Sequence, residues 1–208
     1  MPTGERLTPE RFQMLGLTFG AAGSFDLLHH LLARAFIPAR SGLVLSDAFL
    51  HGAAPVLSMA GRPLYALLHE AMYCQGAAAN WAAHRVRGDF PEFDPRGEEV
   101  LFTAEMFFPW LFEQDPSLVP LGGSAHLLAA EDRWPALYDL DRLAANTVPV
   151  AAAVCLDDLY VDRAHSLRTA ELVRGLRPWV TNEFSHDGVG RTARVFDRLH
   201  DMVSGEAF

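Results

Sequence analysis

Apolar residues follow two different patterns along the chain. Up to residue 147 they sit in blocks of helical spacing, separated by Gly, Pro and residues that cap helices. From Val148 onward, strand-like runs alternate with helical blocks. In the first region, Thr8-Pro9-Glu10 combines an N-cap, a proline at the first helical position and an acidic first turn. The glycines of "GAAG" end that segment, and Ser24 then caps "FDLLHHLLARAF". Ser46 caps "DAFLHGAAPVLSMAG", "RPLYALLHEAMYCQG" reads as a helix closed by Gly76, and "AANWAAHRV" as another. "LFTAEMFFPWLF" reads as a helix kinked at Pro109. "FPEFDPRGEE" and "EQDPSLVPLGG" are loops by their Pro, Gly and Asp content. No strand is expected in this region.

The last third changes character. Val148–Leu156 is small, β-branched and uncharged, as suits a strand of a parallel sheet buried on both faces. "AHSLRTAELVRGL" follows as an amphipathic helix, with Leu167, Ala170, Val173 and Leu176 in apolar register. Then come a second strand in "RPWVTNEF", spanning Trp179–Phe184, a polar turn "SHDGVG" and the helix "RTARVFDRLHDMV". The order is strand, Asp, helix, strand, His, helix. Two right-handed parallel units of this kind deliver Asp157 or Asp158 and His186 to the same sheet edge, where ligands collect in open α/β sheets. Two strands are too few for a stable sheet, so the sheet is expected to be completed from outside these residues.

With 50% apolar and 21% charged residues in 208, the chain has a globular composition. A net charge of −9 without any basic stripe excludes a nucleic-acid binder and gives nothing to hold an anionic membrane surface. The start "MPTGERLTPERF" lacks the basic and apolar regions of a signal peptide, and no apolar run is long enough to span a bilayer. Two cysteines, Cys74 and Cys155, lie in apolar runs and do not read as a disulfide scaffold. A cytoplasmic protein with reduced thiols is the expectation.

Asp158 and His186 stand in the chain order of the last two members of a Ser–His–Asp triad on an α/β-hydrolase. The acid holds the imidazole tautomer and the histidine takes the serine proton. The blander reading is that an aspartate caps the turn and the histidine decorates it. His29 and His30 face different sides of one helix, which predicts one buried and one exposed. "LHEAM" is not H-E-x-x-H, so nothing points to a zinc peptidase. Phe107, Phe108, Trp110 and Phe112 read mostly as core.

The stretches "RLTPERFQMLGLTFG", "EVLFTAEMFFPWLFEQDP" and "DRWPALYDLDRLAANTVPVAAAVCLDDLYVDRAHSLRTAELVRGLRPWVTNEFSHDG" resemble the downstream half of the proline iminopeptidases, or prolyl aminopeptidases, from about Arg6 to Met202. The resemblance implies an α/β class: the C-terminal part of an α/β-hydrolase, with a helical cap followed by the last two parallel strands and their helices, the N-terminal half of the core being absent. It places the cap at residues 1–117, a connector at 118–147 and the core part at 148–208. It implies removal of N-terminal proline from peptides by a Ser–His–Asp triad, without cofactor or metal. On that pattern Asp158 is the triad acid, with Asp157 competing, and His186 the triad histidine. Glu70 and Glu105 match cap glutamates that hold the substrate's free amino terminus, and the cap's aromatics would line the proline pocket. Independently of the resemblance, both glutamates sit among apolar and aromatic helix neighbours, where a carboxylate is costly unless a cation or donors pair with it.

The departure from the family is the nucleophile. The 208 residues contain no G-x-S-x-G elbow. The nearest imitation, "GGSAH" at Gly122–His126, follows a loop and places Ser124 near the start of the helix "AHLLAAED". The chain is therefore expected to be inactive alone and to pair with a complementing N-terminal half, or with itself, along its exposed strand edge. The alternatives are a non-catalytic binding module for amine-bearing peptides and another α/β-hydrolase activity such as an esterase.

Overall fold

The computed structural model describes residues 1–205. Two compact units emerge, one of Met1–Thr18 with Phe25–Leu137, the other of Phe19–Ser24 with the chain from Tyr138 onward. Helices dominate, and two small separate sheets accompany them, an α/β composition. Among the described residues no helix is long and apolar enough to cross a membrane.

The first unit is built from short helices: α1 (Pro9–Gln13), α2 (Ser24–Leu32, shared at its first residue with the second unit), α3 (Asp47–Leu57), α4 (Pro63–His69), α5 (Ala82–Val86), α6 (Leu111–Gln114) and α7 (Gly122–Ala130). The capping chemistry sets several of their starts. Thr8 Oγ1 accepts the amide of Arg11 at 3.2 Å, and Ser46 Oγ accepts that of Phe49 at 3.0 Å. Met14, Leu15, Phe49, Leu57, Phe107 and Leu111 are fully buried in its core. A buried carboxylate ties this core together: Asp115 accepts the amide of Met59 at 2.9 Å and both the amide and hydroxyl of Ser117.

Four features of this unit correct the sequence reading. Between α2 and α3 lies an antiparallel hairpin, β1 (Phe36–Ala39) and β2 (Gly42–Leu45), where no strand was expected. The two-residue turn Arg40-Ser41 closes it, and Gly42, at φ +110°, takes a conformation that L side chains resist. Residues 101–108 are not helical. Gln13 Nε2 donates to the Leu101 and Phe93 carbonyls, and Thr103 N donates to the Gln13 carbonyl, so these backbone groups are engaged before any helix can use them. Pro109 further denies helix to the residue before it. Helix α4 stops at His69, short of Gly76, with Tyr73 at φ +64° beyond it. His29 and His30 are both exposed, because α2 buries only Ser24 and Leu28.

The second unit carries α8 (Leu140–Ala144), β3 (Val150–Cys155), α9 (Arg163–Leu172), β4 (Leu176–Thr181), α10 (Gly188–Arg191) and α11 (Ala193–Ser204). Strands β3 and β4 pair in parallel, from Val150 opposite Leu176 to Cys155 opposite Thr181, with α9 as the crossover and α11 packed on β3. The second strand begins three residues earlier than expected. Gly175, at φ +79°, turns the chain so that Leu176 opens the strand instead of closing the helix. Thr181 Oγ1 then accepts the amide of Glu183 at 3.1 Å and bends the chain out of it. Strand β3 is half-buried, not buried on both faces: Val154 is covered and Ala153 is exposed. Helix α9 buries none of its residues completely, but Leu167 and Ala170 are half-buried while Arg168, Thr169 and Glu171 are exposed.

Candidate active site

Both strands of the parallel pair run out at one edge, and the turns after them bring a carboxylate to an imidazole. Beyond β3, Leu156 N still donates to the Thr181 carbonyl at 2.8 Å, so Asp158 leaves the sheet from a fixed point. Its Oδ1 accepts the amides of Tyr160 at 2.8 Å and Val161 at 3.0 Å, an Asx turn that sets the carboxylate's orientation. Its Oδ2 lies 3.0 Å from Nδ1 of His186. Of the two adjacent aspartates, Asp158 meets the ring, while Asp157 is exposed.

The pair is asymmetric. The Asp158 side chain is 9% exposed and that of His186 43%. Burial pushes the Asp158 pKa up, but the amides of Val161 and Tyr160 and the imidazole outweigh it, and the net position is below the ordinary carboxylate value. An ionised carboxylate can only accept, so the imidazole hydrogen belongs on Nδ1 and Nε2 is left as the basic nitrogen. Tyr160 meets the ring edge-on, with centroids 5.1 Å apart.

The loop bearing His186 is anchored by its neighbour. Asp187 accepts the amide of Ala22 at 3.1 Å and pairs with Arg191 at 3.3 Å, and Arg191 also donates to the Ala22 carbonyl. The segment Phe19–Ser24 thus belongs to this site. Gly20 lies against Tyr160, and a Cβ there would run into the phenol ring. A cavity of about 400 Å³ opens beside the pair, lined among others by Cys155, Thr181, Phe184 and Ser185. Cys155 Sγ donates to the Ser185 carbonyl at 3.3 Å. Burial, then the carboxylates of Asp158 and Asp187, push its thiol pKa up, which disfavours the thiolate. Ser124 sits in the exposed first turn of α7, preceded by a 3₁₀ turn and not by a strand, unlike a nucleophile elbow. No group of three metal-binding side chains occurs among the described residues.

Glu70 and Glu105 lie in the first unit. Glu70 caps the C-terminal end of α4, and its Oε1 accepts the amide of Ala82 at the start of α5, at 2.9 Å. Burial pushes its pKa up, against the opposing effect of the Ala82 and Trp81 amides and Arg85. Glu105 is half-buried in the bend between Thr103 and Phe107. An aromatic cluster joins the two segments: His69, next to Glu70, packs its ring 4.4 Å from that of Phe107, and Tyr65 meets Phe107 edge-on at 5.5 Å. Burial lowers the His69 pKa.

Sequence reasoning missed Tyr160, Asp187 and the segment Phe19–Ser24. The glycines of "GAAG" were the available signal, though they read equally well as a helix terminator.

No family model matches the chain. It is 45% identical over 201 residues to a proline iminopeptidase of Aeromonas sobria, covering 96% of this chain and 46% of that protein. It is 38% identical over 191 residues to the proline iminopeptidase aneH of Aspergillus aculeatus, covering 88% of this chain and 41% of that protein. The chain therefore spans less than half the length of each of these relatives.

Proposed function

From a chain that is a partial-length relative of the proline iminopeptidases, we propose the cap and C-terminal core portion of a serine hydrolase that releases N-terminal proline from peptides. The observation that carries this reading is the Asp158–His186 hydrogen bond at the shared edge of two parallel strands. In the reaction, a serine supplied from outside these 208 residues attacks the proline carbonyl. His186 takes its proton at Nε2 and returns it to the departing peptide amine, and water then frees the proline by the same route in reverse. Asp158 orients the ring and stabilises the imidazolium that forms.

The first unit is the cap in this reading, with residues 1–117 forming most of it and 118–147 leading to the core. Glu70 and Glu105 hold the substrate ammonium. A carboxylate whose burial disfavours its charge gains most from a cation brought by the ligand. Tyr65, His69 and Phe107 offer the proline ring an aromatic wall. The edges of β3 and β4 carry the remaining strands of the hydrolase core, since among the described residues these two strands pair only with each other. No cofactor enters the chemistry, and the protein works in the cytoplasm.

The test is hydrolysis of proline naphthylamide by this chain alone and by this chain joined to the upstream portion of its Aeromonas sobria relative. The joined protein should turn over, and His186→Ala should cost it about 10⁴-fold or more in kcat. The chain alone should be inactive. Turnover by the chain alone that vanishes in Ser124→Ala, or joined-protein turnover indifferent to His186→Ala, would contradict the proposal.

A further inference from the structure

His186 stands in residues 182–187, which link β4 to α10 outside any helix or strand. Its side chain is 43% exposed, so packing alone does not fix the ring. The turn is held instead through the residues on either side of it. Before the histidine, the Ser185 carbonyl accepts the thiol of Cys155, from the end of β3, and the amide of Gly188 at 3.0 Å. After it, Asp187 and Arg191 close on one residue from the opposite end of the chain. Oδ1 of Asp187 accepts the Ala22 amide at 3.1 Å. Nη1 of Arg191 donates to the Ala22 carbonyl at 3.1 Å and reaches Oδ2 of Asp187 as well. Both polar groups of Ala22 are thus taken up by one ion pair.

Magnitude separates two roles for this clamp. As a brace for the fold it contributes little. The Asp187 side chain is 29% exposed and that of Arg191 56%, and ion pairs so open to water add almost nothing to stability. As a positioning device it has leverage, because a reacting group misplaced by about 1 Å can cost about 100-fold in rate. Two bonds to one residue fix direction as well as distance, and they are made by the neighbour of the ring that has to be aimed.

We propose that Asp187 and Arg191 are positioning residues for His186: by gripping Ala22 they hold the turn where the imidazole meets Asp158 and keeps its other nitrogen toward the substrate. Their effect on rate rests on the peptidase reading, and their effect on the ring does not.

The test compares Asp187→Ala, Asp187→Asn and Arg191→Met. Turnover of proline naphthylamide is read in the joined protein, and the Nδ1 proton of His186 in the 208-residue chain. Asp187→Ala removes the grip and should lower kcat about 100-fold, with KM within about threefold and Tm close to that of the parent. Asp187→Asn keeps an oxygen for the Ala22 amide and should stay within about tenfold of the parent. Arg191→Met releases the Ala22 carbonyl alone and should fall between the two, and it carries the comparison if Asp187→Ala does not fold. In the 208-residue chain the Nδ1 proton should be lost to exchange in Asp187→Ala and remain in Asp187→Asn. It should also remain in Asn146→Ala, which removes the bonds to the Val148 and Arg174 carbonyls ahead of the same two strands. Parent-like kcat with an undisturbed proton in Asp187→Ala would overturn the proposal. So would an Asn variant as slow as the Ala variant, which would make the charge of Asp187 the cause, or equal loss of the proton in Asn146→Ala, which would mean general loosening. A joined parent without turnover would remove the peptidase reading, and the proton would then decide the positioning role by itself.

Discussion

Asp158 and Glu70 are carboxylates that their surroundings push in opposite directions, and the pH dependence of stability should separate them. The folded pKa of Asp158 lies below its ordinary value of 3.8 because the amide and imidazole donors outweigh burial. Its contribution to stability is therefore complete above about pH 4 and is lost as the pH falls through the lower folded value. Asp158→Asn should flatten that acid limb in a series of Tm measurements. Glu70 is the reverse case. Burial raises its folded pKa above 4.5, so as the pH rises past that point the unfolded chain ionises first and stability falls until the folded value is passed. Glu70→Gln keeps an oxygen for the Ala82 amide and removes the buried charge, so its Tm at pH 7 should equal or exceed that of the parent. A clear loss of Tm at pH 7 would mean that Glu70 serves chiefly to cap α5. The triad-like pair was legible in the sequence because strand-turn-helix order leaves few places for an aspartate and a histidine to go. Tyr160 and Asp187 were not, since their partners Gly20 and Ala22 come from the opposite end of the chain.

At the scale of elements, local capping rules read in part, and long-range engagement was not read at all. Ser24 opens α2 as its first residue, and its buried hydroxyl accepts no cap amide. Thr8 and Ser46 cap the helices that their sequence context implied. The hairpin of Phe36–Ala39 and Gly42–Leu45 was hidden because an apolar run after α2 looks like more helix until the turn Arg40-Ser41 is recognised. The irregular stretch at 101–108 was hidden because Gln13, far away in sequence, takes up the Leu101 carbonyl and the Thr103 amide. Gly20 is the element-scale residue with the clearest consequence. Gly20→Val should drive the Tyr160 ring from its place beside His186 and cost about 1–3 kcal/mol through overpacking. Thermal denaturation gives the cost, and a changed His186 ring shift reports the displacement; an unchanged spectrum would mean that Tyr160 does not depend on this contact.

In the whole molecule both units expose large apolar side chains, and the second exposes them beside its parallel sheet. Val148 is 65% exposed and Phe196 62%, beside a parallel sheet of two strands among the described residues. Strand edges of this kind pair with further strands when these are offered. The 208-residue chain should accordingly self-associate in sedimentation experiments at tens of micromolar, and under the proposed function the association should vanish when upstream core strands are supplied. A cooperative monomer under those conditions would mean that the sheet needs no further strands. The class of fold could be read from the order of elements, but how far the sheet extends depends on pairing partners that no local pattern encodes.

The hydrogen bond between Asp158 and His186 is central to the proposed chemistry, and the nitrogen spectrum of His186 tests it most directly. A ¹⁵N-resolved titration of the imidazole in this chain should show Nδ1 protonated and Nε2 as the basic nitrogen, with an Nδ1 proton at low field. That signal should disappear in Asp158→Asn and survive in Asp157→Asn. An Nε2–H tautomer, or a ring that responds to Asp157 and not to Asp158, would contradict the acid and base roles given to this pair.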